Sequence, residues 1–193
     1  MPVSELLRLG SPRPIVRWSA PILHEPARPV MDFGPELQQL LADMFATNTA
    51  AHGAGVAAQQ VGVALAVFVY DCTDESGTRR TGVVCNPKVD VAEGAHRRLV
   101  DYDDGCLSLP GAYAELARPS TATCRGFDQC GDPIEITAGG TLGRCLQHET
   151  DHTNGIVFGD RLSTRRRKRL YRDHEGLADM YPADWPVQAT DAD

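Results

Sequence analysis

Aromatic side chains are scarce, 6% of 193 residues, too few to suggest a surface built for stacking bases. Positive charge is also short, with 19 Lys and Arg against 26 Asp and Glu and a formal charge of -7. General affinity for nucleic acid depends on cations that neutralise phosphates, so no DNA partner is expected. No apolar run approaches the roughly 18 residues of a membrane helix, and the stretch from Met1 to Arg17 lacks the apolar core of a signal peptide. The expectation is a cytoplasmic chain with no membrane partner. Six cysteines are present, Cys72, Cys85, Cys106, Cys124, Cys130 and Cys145, but none forms a C-x-x-C pair. Zinc ribbons and thioredoxin-like redox sites are thereby excluded, and the thiols are expected to be reduced.

The length suits one domain, residues 1–193, with a core of its own. Six of the 13 prolines lie in residues 1–34, which predicts an extended segment wrapped round a body rather than helix. Pro35 opens a helix in which Leu37, Leu40, Leu41, Met44 and Phe45 form one apolar stripe that ends before Gly53. Short β-branched runs divided by turn residues then predict strands at 63–70, 81–91, 97–102, 113–118, 122–127 and 133–137. A turn at 128–132 joins the last two as a hairpin. Thr141 is read as the N-cap of a helix running to about Asn154, with Gly155 as its stop. A last helix spans about 163–176, and the acidic tail, about 177–193, is expected to be partly mobile.

The chemistry gathers in Gln147-His148-Glu149-Thr150-Asp151-His152. Histidines four residues apart project from one helical face and can share a metal ion, with Glu149 beside it. A catalytic site commonly needs a third protein ligand and an open position. Where metzincin proteases place another His, this chain has Phe158. Glu175 is a formal candidate of the kind other zincins use, but it lies at a charged helix end. Cys106, in Asp104-Gly105-Cys106-Leu107-Ser108-Leu109-Pro110, is the other candidate, since a thiolate with two neutral imidazoles leaves a divalent ion at net +1.

Three segments together resemble the peptide deformylase family. Gly53-Ala54-Gly55-Val56-Ala57-Ala58-Gln59-Gln60 is similar to its G-x-G-[LV]-A-A-x-Q signature, Gly105-Cys106-Leu107-Ser108 to E-G-C-x-S, and Gln147 to His152 to Q-H-E-x-D-H. The likeness runs from about Val16 to Tyr171. It implies an α+β fold, with antiparallel and mixed sheets packed round a central metal-binding helix and a helix near each end of the chain. It implies Cys106, His148 and His152 as ligands of one divalent ion. Ferrous iron is the expected ion, with zinc, nickel or cobalt able to take its place in a purified sample. It also implies Glu149 as the base acting on water, Gln60 and the Leu107 N–H as donors to the oxyanion, and Gly55 as the backbone that pairs with the substrate. The implied substrate is the formyl-methionyl end of a newly made protein, with release of formate.

This chain departs from the family pattern in three places. Asp104 stands where Glu is usual, Ala54 where a bulkier aliphatic is common, and Tyr113 where many members carry Arg. Arg118, on the following strand, is a candidate partner for Asp104. The run Arg165-Arg166-Arg167-Lys168-Arg169 is the exception to the acidic balance and suggests contact with the ribosome through the last helix. Two rival readings are an HExxH metalloprotease and a non-catalytic relative that binds metal or the ribosome.

Overall fold

The structure is a computed structural model that describes residues 1–92 and 97–187. A five-stranded sheet is built from β1 (Gly55–Ala57), β2 (Val67–Thr73), β3 (Arg79–Val91), β6 (Thr121–Phe127) and β7 (Pro133–Gly139), in the order β1-β2-β3-β6-β7. β4 (Leu99–Gly105) and β5 (Tyr113–Pro119) form a separate two-stranded sheet. Every pairing between these strands is antiparallel, and the one parallel contact among the described residues is an isolated bridge from Arg28 to Leu65. The fold is α+β, as the resemblance implies.

Each face of the larger sheet is covered by one helix. The alternation of β2 shows how: Val67 and Val69 join the cluster that holds Leu37, Leu40, Leu41, Met44 and Phe45 of α2 (Pro35–Ala50), whereas Phe68 and Tyr70 join Leu142, Cys145 and Leu146 of α3 (Gly140–Thr153). The stripe read from the sequence is the buried face of α2. At the start of α3 a Cβ on Gly143 would lie 2.4 Å from the Ala138 carbonyl oxygen, so glycine lets the first turn fold tightly onto the end of β7. With both faces covered, β2 is buried from Val67 to Tyr70 and shows no polar alternation there.

Two expectations are corrected. Residues 3–9, read as extended, form α1 (Val3–Leu9), which packs on α2 with Leu6 fully buried. Pro2 sits just outside this helix and the next proline is Pro12, so the chain between them is free to coil; the extended course begins only at Gly10. Thr141 is not the cap of α3. The helix starts at Gly140, with Gly139 in the cap position and Thr141 within the first turn. Periodicity did not reveal β1, whose three residues are too few to show a period.

The last helix, α4 (Thr164–Glu175), agrees with expectation, and the Ser163 hydroxyl accepts from the Arg166 N–H at its start. Residues 177–187 are tied to the body by a backbone hydrogen bond from the Ile15 N–H to the Trp185 carbonyl at 3.0 Å and by the Arg17 side chain, which donates to the carbonyls of Tyr181 and Pro182. The rest of the predicted tail, 188–193, lies outside the described residues.

Candidate metal centre

The helical periodicity of α3 places His148 and His152 on one face, and the loop that leaves β4 brings Cys106 to them. One ligand atom from each of the three lies within 4.8 Å of the others, and all three residues are buried. The Cys106 Sγ is 3.3 Å from His152 Nε2. Phe158, at the metzincin histidine position, is buried with its ring centroid 6.0 Å from that of His148. Glu175 is exposed at the end of α4 and takes no part in the cluster. The third ligand left open by spacing alone is therefore the cysteine.

A carboxylate behind His148 orients that ring. His148 Nδ1 stands 3.3 Å from Asp104, which directs its Nε2 toward the other two ligands. Arg118 Nε reaches the same carboxylate at 3.3 Å while its Nη1 reaches Asp151 at 2.9 Å. These side chains are only 6% exposed for Arg118 and 9% for each carboxylate. Arg161 closes the network on Asp151 from the rim. The pairing of Asp104 with Arg118 suggested by the sequence is present, but Arg118 also clamps α3, which the sequence did not reveal.

The two imidazoles differ in protonation: against the opposing effect of burial, the Asp104 carboxylate holds His148 well above the usual histidine range. Burial, reinforced by the charge on His148, holds His152 well below the usual histidine range, so its ring is neutral. Burial pushes Glu149 up to about 7 against the opposing pull of His148. One Glu149 oxygen, Oε2, is buried with no hydrogen-bond partner among the described residues. A cation among the three ligands would draw Glu149 back toward its charged form.

Gln60 is fixed by its own oxygen. Its Oε1 accepts from the Ala57 N–H at 2.9 Å, so the Nε2 faces the sulfur of Cys106 at 3.6 Å and the Ser108 hydroxyl at 3.3 Å. Ser108 was not singled out in the sequence. Beside these groups lies a cavity of about 300 Å³, lined by Gly55, Gln60, Leu107, His148 and Glu149 among others. Ala54 and Tyr113 line it too. Another wall consists of Arg144, whose guanidinium stacks on Tyr102 with 3.7 Å to the ring centroid.

The edge strand β1 leaves one side of its backbone unpaired by the sheet. Ala54 and Val56 turn their hydrogen-bonding groups toward β2, since the Asp71 N–H donates to Ala54 O, so the alternation turns those of Gly55 the other way. A Cβ on Gly55 would lie 2.7 Å from Cys145 Sγ and 3.0 Å from Glu149 Cγ. Glycine is thus needed for the strand to lie this near the catalytic helix.

Two imidazoles from one helix, a loop cysteine and an adjacent buried glutamate in an α+β frame define a metal-binding hydrolase whose third ligand is cysteine. The sequence model of one such family, described as polypeptide deformylase, matches residues 12–168. The chain is 51% identical over 182 residues to peptide deformylase 1 of Streptomyces avermitilis, covering 94% of this chain and 82% of that protein. Among solved structures, a peptide deformylase from Legionella pneumophila aligns with a TM-score of 0.78 and 36% identity, over 88% of this chain and 97% of its own. The enzyme from Ehrlichia chaffeensis in complex with actinonin aligns equally well, at 0.78 with 32% identity, over 88% and 98%. The chain belongs to the polypeptide deformylase family.

Arg118 should behave as a buried bridge rather than a surface ion pair. In a double-mutant cycle on thermal or urea unfolding, Arg118→Gln and Asp104→Asn are expected to couple by about 1–3 kcal/mol. Arg118→Gln alone should cost roughly 3 kcal/mol, because it removes the one fully buried cation between two buried carboxylates and leaves each with a single partner. Additive single effects would show that the two groups do not act as a pair.

Proposed function

We propose that the site hydrolyses the formyl amide at the N-terminus of newly made proteins in the cytoplasm, releasing formate and a free N-terminal methionine. The observation that carries this reading is the arrangement round Glu149: a buried carboxylate with one unpartnered oxygen, beside three convergent ligand atoms and lining one cavity with an amide aimed by its own hydrogen bond. The residues present fit a divalent ion, because a cysteine sulfur and two imidazoles, one of them held neutral, converge within bonding reach of a common point. Held by Cys106, His148 and His152, such an ion would supply Lewis acidity, polarising a carbonyl and making water a better nucleophile near neutral pH.

The chain's own groups account for the rest. The Gly55 backbone pairs with the extended peptide and sets the formyl group beside Glu149. Glu149 takes a proton from the attacking water as the C–O bond forms at the formyl carbon. The Nε2 of Gln60 and the N–H of Leu107 donate to the oxygen as it gains negative charge. When the C–N bond breaks, Glu149 returns the proton to the leaving amine, and formate departs. A neutral Glu149 cannot serve as base, so the pull of a cation on its titration matters to the first step.

Glu149→Gln is expected to retain one equivalent of metal while formate release from formyl-Met-Ala-Ser falls by several orders of magnitude. Cys106→Ala should lose both metal and activity. A Glu149→Gln enzyme with near wild-type turnover would remove the proposed base, and a metal-replete Cys106→Ala enzyme would remove the proposed ligand.

We assign ferrous iron as the working ion, on the family resemblance and on a donor set of thiolate and imidazole that accepts it. Anaerobically iron-loaded protein should release formate much faster than the same protein loaded with zinc at equal occupancy. Equal rates would overturn the assignment.

The basic helix supports a further contact with ribosomal RNA. Within the run, Arg166 pairs with Glu115, Arg167 with Asp160 and Arg169 with Asp173. Arg165 and Lys168, exposed and one turn apart on α4, have no carboxylate partner among the described residues. Neutralising these two residues is expected to abolish salt-sensitive co-sedimentation with ribosomes, and undiminished sedimentation would refute the contact.

A further inference from the structure

The family match ends at residue 168, yet two aromatic residues well beyond it, Tyr181 and Trp185, line the cavity that holds Gly55, Leu107 and Glu149. This tail is firmly placed. Arg17 Nη2 donates to the carbonyls of Tyr181 at 2.9 Å and Pro182 at 2.8 Å, and its guanidinium lies over the Trp185 ring, 5.6 Å from the centroid. The Ile15 N–H donates to the Trp185 carbonyl. The Tyr181 and Trp185 rings meet edge to face, with centroids 5.3 Å apart.

The catalytic side is shaped to receive the tail. Gly111, in the loop after Leu107, has φ +79°, and a Cβ there would lie 2.8 Å from the Leu177 side chain and 2.9 Å from the Tyr181 ring. A left-handed backbone and a close approach thus both call for glycine where the tail crosses the loop. Tyr181 and Trp185 are partly exposed, whereas Glu149 and His152 are buried. The aromatic pair therefore sits toward the mouth of a cavity whose floor is the metal centre.

We infer that the C-terminal segment 177–187 is a substrate-binding element, in which Tyr181 and Trp185 form with the 107–113 loop a subsite for an apolar side chain downstream of the formylated residue. The inference rests on the deformylase reading: the formyl group is held at the floor, so the following residues must leave past the mouth. Tyr113, 65% exposed on the same loop, extends this aromatic surface. Two partly exposed rings held from behind offer apolar contact area at little further loss of side-chain freedom.

Bracing is the rival role, because the extended segment that anchors the tail also holds the loops of the site. The Val16 N–H donates to the Gln60 carbonyl and the Trp18 N–H to the Ser108 carbonyl, each at 2.9 Å. Loss of the tail could then slow every substrate alike. The test is kcat/KM of the full-length, metal-loaded enzyme on formyl-Met-Ala-Ala, formyl-Met-Leu-Ala and formyl-Met-Ala-Leu.

Wild type should favour at least one leucine peptide over the alanine reference by about fivefold, mainly through KM. Tyr181→Ser with Trp185→Ser should bring that ratio close to one, and Trp185→Phe should keep most of it. Tyr181→Ser alone, which leaves the Arg17 stack on Trp185 in place, reads the same ratio if the double variant melts early. An equal loss on all three peptides would overturn the inference in favour of bracing. So would a ratio unchanged by the variants, or no leucine preference in wild type. Absence of formate from every peptide with wild type would instead count against the deformylase reading itself.

Discussion

The buried guanidinium of Arg118 is the constraint on which the site depends. It stands between Asp104, at the end of β4, and Asp151, on α3. Cys106 follows Asp104 by two residues, and His152 follows Asp151 by one, so one cation fixes the distance between the sulfur-bearing loop and the histidine-bearing helix. Three charged groups buried together would be unfavourable in isolation. Here the two carboxylates are matched by Arg118 and by Arg161 at the rim, and Asp104 spends its remaining capacity on His148. The network is costly to desolvate but leaves little freedom of arrangement, a reasonable exchange for a site that must hold three ligand atoms in register.

The second brace is backbone. The extended stretch from Ile15 to Trp18 is hydrogen-bonded on one side to Gln60, on another to Ser108, and beyond that to Trp185. Gln60 and Ser108 belong to different segments of the chain, and both touch the sulfur side of the site. A proline-rich segment suits this task, because it loses less backbone freedom on being fixed and its own hydrogen-bonding groups are not committed to a helix. The same segment makes residues near the two ends of the chain into neighbours of one cavity.

How much of this was legible in the sequence follows from the range of each signal. His148, Glu149 and His152 are local, spaced by one helix, and needed only periodicity. Cys106 was one of several cysteines until the three motifs were read together. Most predicted strands appear within a few residues of their observed limits, since alternation and turn residues are local as well. Arg118 was visible as a partner for Asp104 but not as a clamp on α3, because its second contact spans 33 residues and leaves no pattern. Tyr102, Arg144, Tyr181 and Trp185 were missed for the same reason. Helix α1 was hidden by averaging proline over a segment whose first turns contain none after Pro2.

The three departures from the family pattern divide by where they fall. Asp104, one methylene shorter than the usual Glu, still reaches both His148 and Arg118, at 3.3 Å in each case. The shorter side chain therefore keeps both of its partners beside the metal centre. Ala54 and Tyr113 do not touch the ligands; they line the cavity, together with the Arg144 and Tyr102 pair. A small residue on β1 leaves space, and a Tyr in place of a cation on the opposite loop removes charge and adds an aromatic face. The chemistry at the floor of the cavity is thus held constant by buried charge, while its walls are free to vary, and differences in peptide preference among such enzymes should be sought in those walls.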